Sequence, residues 1–223
     1  MTERPFAELA WDTIQPRCRD ILAHPFVVGL GDGSLPDDVF VRYLLDDAHY
    51  LASYARTLAV IASRMPTTAG VGLFAGFAQG AVVAERELHR SILEPRGIDP
   101  DAPGVAGESP ACAAYTGFLA RAAATAPVEV AAAAVLPCFR VYLEVGRSLV
   151  PHRHDTHPYA AWIDTYEGDV FAEAVAVAER AVDELAAAAP HHQAAMLAAY
   201  QRATDLEWRF WDQAWTGWTG WTG

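Results

Sequence analysis

A thiol and two carboxylates fall on helix faces that spacing turns toward a core, the set that nucleophilic and general acid–base catalysis draws on. Cys138 lies in Ala-Val-Leu-Pro-Cys-Phe-Arg-Val-Tyr-Leu-Glu-Val-Gly (134–146), on one stripe with Ala131, Ala134, Val135, Val141, Tyr142, Val145 and Leu149. A free cysteine more often packs as a small hydrophobe, so this thiol alone does not establish a nucleophile. Asp47 shares a face with Phe40, Tyr43, Tyr50 and Tyr54 at steps of three and four, which sets one carboxylate among aromatic rings. Glu207 lies with Tyr200, Ala203, Phe210, Trp211 and Ala214 near the end of the chain's last helical run. Desolvation there raises a carboxyl toward neutral pH, where it can act as acid or base. The competing reading of Glu207 is a buried ion pair with Arg140 or Arg56. Asp46 and His49 project away from the Asp47 face and read as a solvated edge.

Long amphipathic runs carry these residues, and strand signals are almost absent. The periodicity predicts helices over 5–23, 35–64, 67–94, 109–124, 127–150, 157–165, 168–188 and 190–215. Pro25, Pro66, Pro110, Pro151 and Pro190 punctuate the junctions. Ser34, Pro36 and Asp37 imitate a capping box at the start of the Asp47 helix. The expected architecture is all-α, a single-domain up-down bundle over residues 1–214 with a pocket between its helices. The break at Gly97–Gly104 is too short to separate domains, and the Trp-Thr-Gly repeats of 215–223 read as a frayed tail.

Composition narrows the function. The chain has 223 residues, 52% of them hydrophobic, enough for one substantial core. A net charge of −12 argues against nucleic acid and against an anionic membrane surface as partners. All 16 basic residues are arginines, which removes a lysine Schiff base and a Walker lysine. Cys18, Cys112 and Cys138 are odd in number and widely spaced, so neither a disulfide framework nor a zinc knuckle is expected. No apolar leader or membrane span is legible, and a soluble cytoplasmic protein is expected. His152, His154 and His157 lie in a Pro-flanked loop and do not read as a metal site.

Read in order, several short segments resemble the TenA family of thiaminase II-type aminopyrimidine aminohydrolases. They run from His24-Pro25-Phe26-Val27 through Gly31–Pro36, Asp47-Ala-His-Tyr50-Leu51, Glu85-Arg-Glu-Leu-His89, Ala114-Tyr115-Thr116, Leu136-Pro137-Cys138 and Trp162–Tyr166 to Glu207–Trp211. The resemblance covers nearly the whole chain. It implies a haem-oxygenase-like bundle, usually a homotetramer, that binds aminopyrimidines or thiamin without metal, haem or other cofactor. It also implies roles: Cys138 as the nucleophile, Glu207 as the acid that protonates the ring nitrogen, and Asp47 as the partner of the substrate's exocyclic amine. Tyr50 would tune the thiol, Tyr142 and Tyr166 would hydrogen-bond the substrate, and Tyr115 and Phe210 would supply aromatic walls. The chain departs from many relatives at Asp46, where they carry Gln, and at Val83, where they often carry His. Both departures bear on substrate range.

Two rivals remain on these residues. A non-haem di-iron oxidase would draw ligands from Glu85 and His89, an i,i+4 pair, but no second such pair follows in a later helix. A pyrimidine-binding or regulatory module would keep the pocket and lack turnover.

Overall fold

The computed structural model describes residues 4–98 and 107–218, without the side chains of Glu85, Leu88 and His89. Met1–Glu3, most of the 97–104 break and residues 219–223 of the tail lie outside the described residues. The elements are α1 (Phe6–Leu22), α2 (Pro25–Asp32), α3 (Asp37–Arg64), α4 (Thr68–Leu88), α5 (Pro110–Thr125), α6 (Val128–Leu149), α7 (Ala160–Glu167), α8 (Asp169–Ala188) and α9 (Gln193–Thr216). A π-turn at His89–Leu93 and a 3-10 turn at Glu94–Arg96 extend α4. Among the described residues there is no strand.

The long helices α3, α6 and α9 form the centre. Helix α3 packs on α4 and α5, α6 on α9, and α1 lies across α8 and α9. Phe40 and Tyr43 from α3, Tyr200 and Trp211 from α9, Phe26 from α2 and Trp162 from α7 are fully buried between them, and such large apolar areas carry much of the drive to fold. Tyr43 stacks on Trp211 with ring centroids 5.3 Å apart, so α3 and α9 meet through an aromatic pair at mid-bundle.

Two expectations are corrected. The segment after His24 is a helix of its own, α2, too short and too uniformly apolar to show a helical period. Its signals were at the ends: Pro25 at the first position, where a missing N–H costs nothing, and Gly33 after the last, with φ of 78°. The capping box at Ser34 does not form either. Pro36 starts α3 without a side-chain cap, and the Ser34 amide instead donates to Asp32 Oδ1 at 2.9 Å. The three loop histidines serve the backbone at least at His157, whose Nε2 donates to the Gly31 carbonyl at 2.9 Å while Nδ1 accepts from the Tyr159 amide. Helix α9 takes in Trp215 and Thr216, the first part of the tail repeat.

Candidate active site

Cys138 lies one residue after Pro137, a proline inside α6. With no N–H to offer the Ala133 carbonyl, Pro137 interrupts the hydrogen-bond ladder beside the thiol. The Tyr54 hydroxyl, from α3, donates to the Val135 carbonyl at 2.8 Å and pins this irregular turn. Of the three cysteines, Cys18 and Cys112 are buried and Cys138 alone is partly open.

What it opens onto is a cavity of about 550 Å³ enclosed by α3, α4, α6, α7 and the start of α8. Asp47, Tyr50, Cys138, Tyr142 and Tyr166 line it, five of the eight residues expected at the site. Gly146 explains how Tyr166 arrives there: a Cβ at that position would stand 2.7 Å from the Tyr166 backbone, so only glycine lets α7 lie so close on α6. Tyr142 is held by its hydroxyl, 3.2 Å from that of Tyr43, which in turn accepts from Trp162 Nε1 at 3.3 Å.

The other three stand behind this lining. Tyr50 packs on Tyr115 and Phe210, at centroid distances of 5.0 and 5.7 Å. Glu207 is 1% exposed and its Oε2 accepts from the Tyr115 hydroxyl at 3.1 Å. Tyr115 therefore holds the acid as well as backing Tyr50. The ion-pair reading of Glu207 is not realised, since Arg140 pairs with Glu179 and Arg56 donates to the Ala52 carbonyl.

Burial sets the electrostatics. Desolvation pushes the Glu207 carboxyl up to about 8, the Tyr115 hydrogen bond pulls it down, and the nearby Asp47 charge pushes it up again. The acid is mostly protonated at neutral pH. Desolvation and the Glu207 charge hold the Cys138 thiol well above its ordinary value, while the Tyr50 and Tyr54 hydroxyls favour its ionised form. The thiol and the acid thus both hold their protons at neutral pH.

A model of the TENA/THI-4/PQQC family matches residues 11–217. The chain belongs to that family. It is 35% identical over 194 residues to the aminopyrimidine aminohydrolase of Bacillus subtilis, covering 86% of this chain and 82% of that one. It is 38% identical over 211 residues to the thiamine biosynthesis multifunctional protein ThiED of Corynebacterium efficiens, covering 94% of this chain and 28% of the relative. The chain thus spans under a third of ThiED. A TenA family transcription regulator of Silicibacter sp. TM1040 superposes with a TM-score of 0.87 at 28% identity, over 95% of this chain and 97% of that one. The architecture is the haem-oxygenase-like helical bundle.

Within this TENA/THI-4/PQQC bundle one sequence expectation fails outright. Asp46 is not a solvated edge but 2% exposed, and its carboxylate takes the Ser109 amide at 2.9 Å and the Ser109 hydroxyl at 2.6 Å. Ser109 caps α5 by accepting from the Cys112 amide at 3.0 Å. Asp46 therefore fixes the helix that carries Tyr115, and α3 buries neighbouring acids on two sides because it is packed on both. His49 is exposed as expected. Phe77, Phe139 and Phe171 complete the cavity wall and were not anticipated. Phe77 and Phe139 meet at 5.0 Å. Their signal in the sequence was an aromatic on an otherwise small-residue helix, which reads equally as core.

Among the described residues no group of three histidine, cysteine, aspartate or glutamate side chains gathers to hold a metal ion. The Glu85 and His89 side chains lie outside them. No described helix is long and apolar enough to cross a membrane.

Proposed function

We propose that this chain hydrolyses 4-amino-5-aminomethyl-2-methylpyrimidine to the 5-hydroxymethyl compound and ammonia, in thiamin salvage, and accepts thiamin at the same site. The observation that carries the reading is the joint placement of Cys138 and Asp47 on one cavity, the thiol being the open one of three. An aminopyrimidine offers a donor amine that the Asp47 carboxyl can accept, beside a ring nitrogen that pairs with the second carboxyl oxygen when one of the two carries a proton. Tyr142 and Tyr166 flank it with hydroxyls.

Cys138 Sγ bonds to the ring carbon next to the one bearing the methylene, while the adjoining ring nitrogen takes up a proton supplied by Glu207 through the Tyr50 hydroxyl, which lies on the cavity in front of the acid. The thiol proton passes to the carboxylate so vacated, with Tyr50 standing between them. Aromaticity is lost, and protonation in the same step prevents a bare nitrogen anion from forming. The electron-rich ring then expels ammonia from the methylene carbon, the amine having entered as the ammonium, and the proton it brought is balanced by the one released when water adds. Water adds to that carbon, the C–S bond breaks, the ring regains its aromaticity, and the ring proton is returned. The balance is amine plus water to alcohol plus ammonia, which calls for no redox step.

The test is to incubate purified protein with the aminomethylpyrimidine and with thiamin, assaying for the hydroxymethylpyrimidine. Turnover lost in Cys138→Ser supports the reading. Binding without product in the unmodified protein instead identifies a binding or regulatory module. A cytoplasmic location and a homotetramer belong to the same proposal, and sedimentation equilibrium checks the second.

A further inference from the structure

The Tyr142 hydroxyl on the cavity wall ends a series of three side chains drawn from three helices. Trp162 Nε1, from α7, donates to the Tyr43 hydroxyl of α3 at 3.3 Å, and that hydroxyl stands 3.2 Å from the Tyr142 hydroxyl of α6. Trp162 and Tyr43 are wholly buried and line no part of the cavity, whereas Tyr142, 5% exposed, does. The rings hold one another in place. Tyr43 lies flat on Trp211 at 5.3 Å, and Trp162 packs on Tyr142 and Tyr166 with centroids at 6.1 and 4.7 Å.

The series has a direction. An indole N–H can only donate, so Trp162 occupies the Tyr43 oxygen and leaves Tyr43 to donate in its other bond. Among the described residues the acceptor within reach of the Tyr43 proton is the Tyr142 oxygen. Were Tyr142 to donate instead, the Tyr43 proton would be buried without an acceptor, at the full cost of desolvating it. Tyr43 therefore donates to Tyr142, and the Tyr142 proton is left for whatever occupies the cavity. Burial above all, with the Asp47 charge adding to it, holds both phenols well above their ordinary value, so each keeps its proton near neutral pH. Each bond in such a series also polarises the next, which strengthens the last donor.

We propose that Trp162 and Tyr43 are positioning residues that fix Tyr142 as a hydrogen-bond donor, so that the cavity selects a ring offering an acceptor, a nitrogen with its lone pair free. Asp47 is the opposite pole, a carboxylate that accepts from an amine. A flat ring that carries an amine and a ring nitrogen satisfies both. A ring of the same outline with CH in place of nitrogen satisfies Asp47 alone and leaves the Tyr142 proton unpaired. The inference rests on the aminopyrimidine reading of the cavity and adds the two side chains behind its wall that set the polarity of recognition.

The probe is 2-(aminomethyl)-5-methylaniline, which is the aminomethylpyrimidine with both ring nitrogens replaced by CH. Calorimetry gives Kd for both compounds on protein carrying Cys138→Ser, which blocks turnover. The same measurement is made with Tyr142→Phe, Tyr43→Phe or Trp162→Phe added, and with the two tyrosine changes together. Without these additions the pyrimidine should bind at least about tenfold tighter than the aniline. Tyr142→Phe should cut that advantage by about three- to tenfold, and Tyr43→Phe or Trp162→Phe by about two- to threefold. The paired tyrosine changes should lose no more than Tyr142→Phe alone, because Tyr43 acts through Tyr142. A merely structural role moves both affinities together, so an unchanged ratio in a variant with a normal melting curve overturns the proposal. Additive losses in the paired variant overturn it as well. Trp162→Phe vacates core volume, and if it does not fold, the two tyrosine variants decide, since each loses only a hydroxyl. Equal binding of the two rings, in a protein whose unmodified form turns over the pyrimidine, overturns the proposal alone. Binding of neither ring overturns the aminopyrimidine reading and this one with it.

Discussion

The Tyr115 hydroxyl donates to Glu207 Oε2 at 3.1 Å, deep between α5 and α9, and this bond opposes the desolvation that raises the acid. The two effects set where Glu207 gives up its proton. Because the carboxyl is held at about 8, the donating form persists through neutral pH and is lost as pH rises past that value. The rate for the aminomethylpyrimidine should therefore fall on an alkaline limb near pH 8. In Glu207→Gln, kcat should drop by about 10²–10⁴ with substrate affinity retained, and that limb should vanish. Measured kcat and Kd across pH check both parts, and a fully active variant would leave Glu207 without a catalytic role.

Tyr115→Phe isolates the hydrogen bond. Removing a donor that favours the ionised carboxylate raises the Glu207 carboxyl further, so the alkaline limb should move to higher pH. A limb that stays in place would mean that Tyr115 acts only by packing on Tyr50.

The same shift is a statement about stability. Glu207 ionises near its ordinary value of 4.5 when unfolded and at about 8 when folded, so the folded state binds more protons between those limits. Stability contributed by this group is full below pH 4.5 and declines as pH rises toward 8. Glu207→Gln, which cannot ionise, should gain in melting temperature relative to the unmodified chain as pH is raised through that window. Parallel melting curves from pH 5 to 8 would contradict the burial of the charge.

Much of this arrangement was legible in the sequence. Helical spacing alone put Asp47, Cys138 and Glu207 on inward faces, because a period of 3.6 reports which side of a helix is buried. It could not report depth. Tyr115 and Phe210 share the right faces yet stand behind Tyr50, a matter of how α5 and α9 cross α3. Spacing also failed at Asp46, since reading one buried face per helix misses a helix such as α3 that is covered on two sides. The short α2 escaped for the opposite reason, having too few residues to display a period.

Asp46 and Asp47 are adjacent and should separate cleanly by experiment. Asp46→Ala leaves the Ser109 amide and hydroxyl buried without their acceptor, which costs about 1–3 kcal/mol. The loss should appear in the melting temperature, with Kd for the pyrimidine less affected. Asp47→Asn should do the reverse, weakening binding while melting changes little. If Asp47→Asn lowers the melting temperature sharply and leaves affinity intact, the two acids have been assigned the wrong way round.

Cys138 offers the sharpest test because two other thiols serve as controls. Cys18 and Cys112 are closed in, with burial pushing Cys18 up to about 11 and Cys112 higher, so neither forms a thiolate near neutral pH. Serine at either position should leave turnover near its starting value. Cys138→Ser should abolish product formation while the fold and pyrimidine affinity survive, since a hydroxyl is a far weaker nucleophile than a thiolate. The raised Cys138 thiol adds a second expectation. Alkylation by iodoacetamide should be slow at pH 7 and accelerate as pH rises, because only the thiolate reacts. Mass spectrometry of the alkylated chain distinguishes the three positions. Rapid labelling of Cys138 at pH 7 would mean that the resting site holds a thiolate, and the proton relay through Glu207 would then have no proton of the thiol to carry.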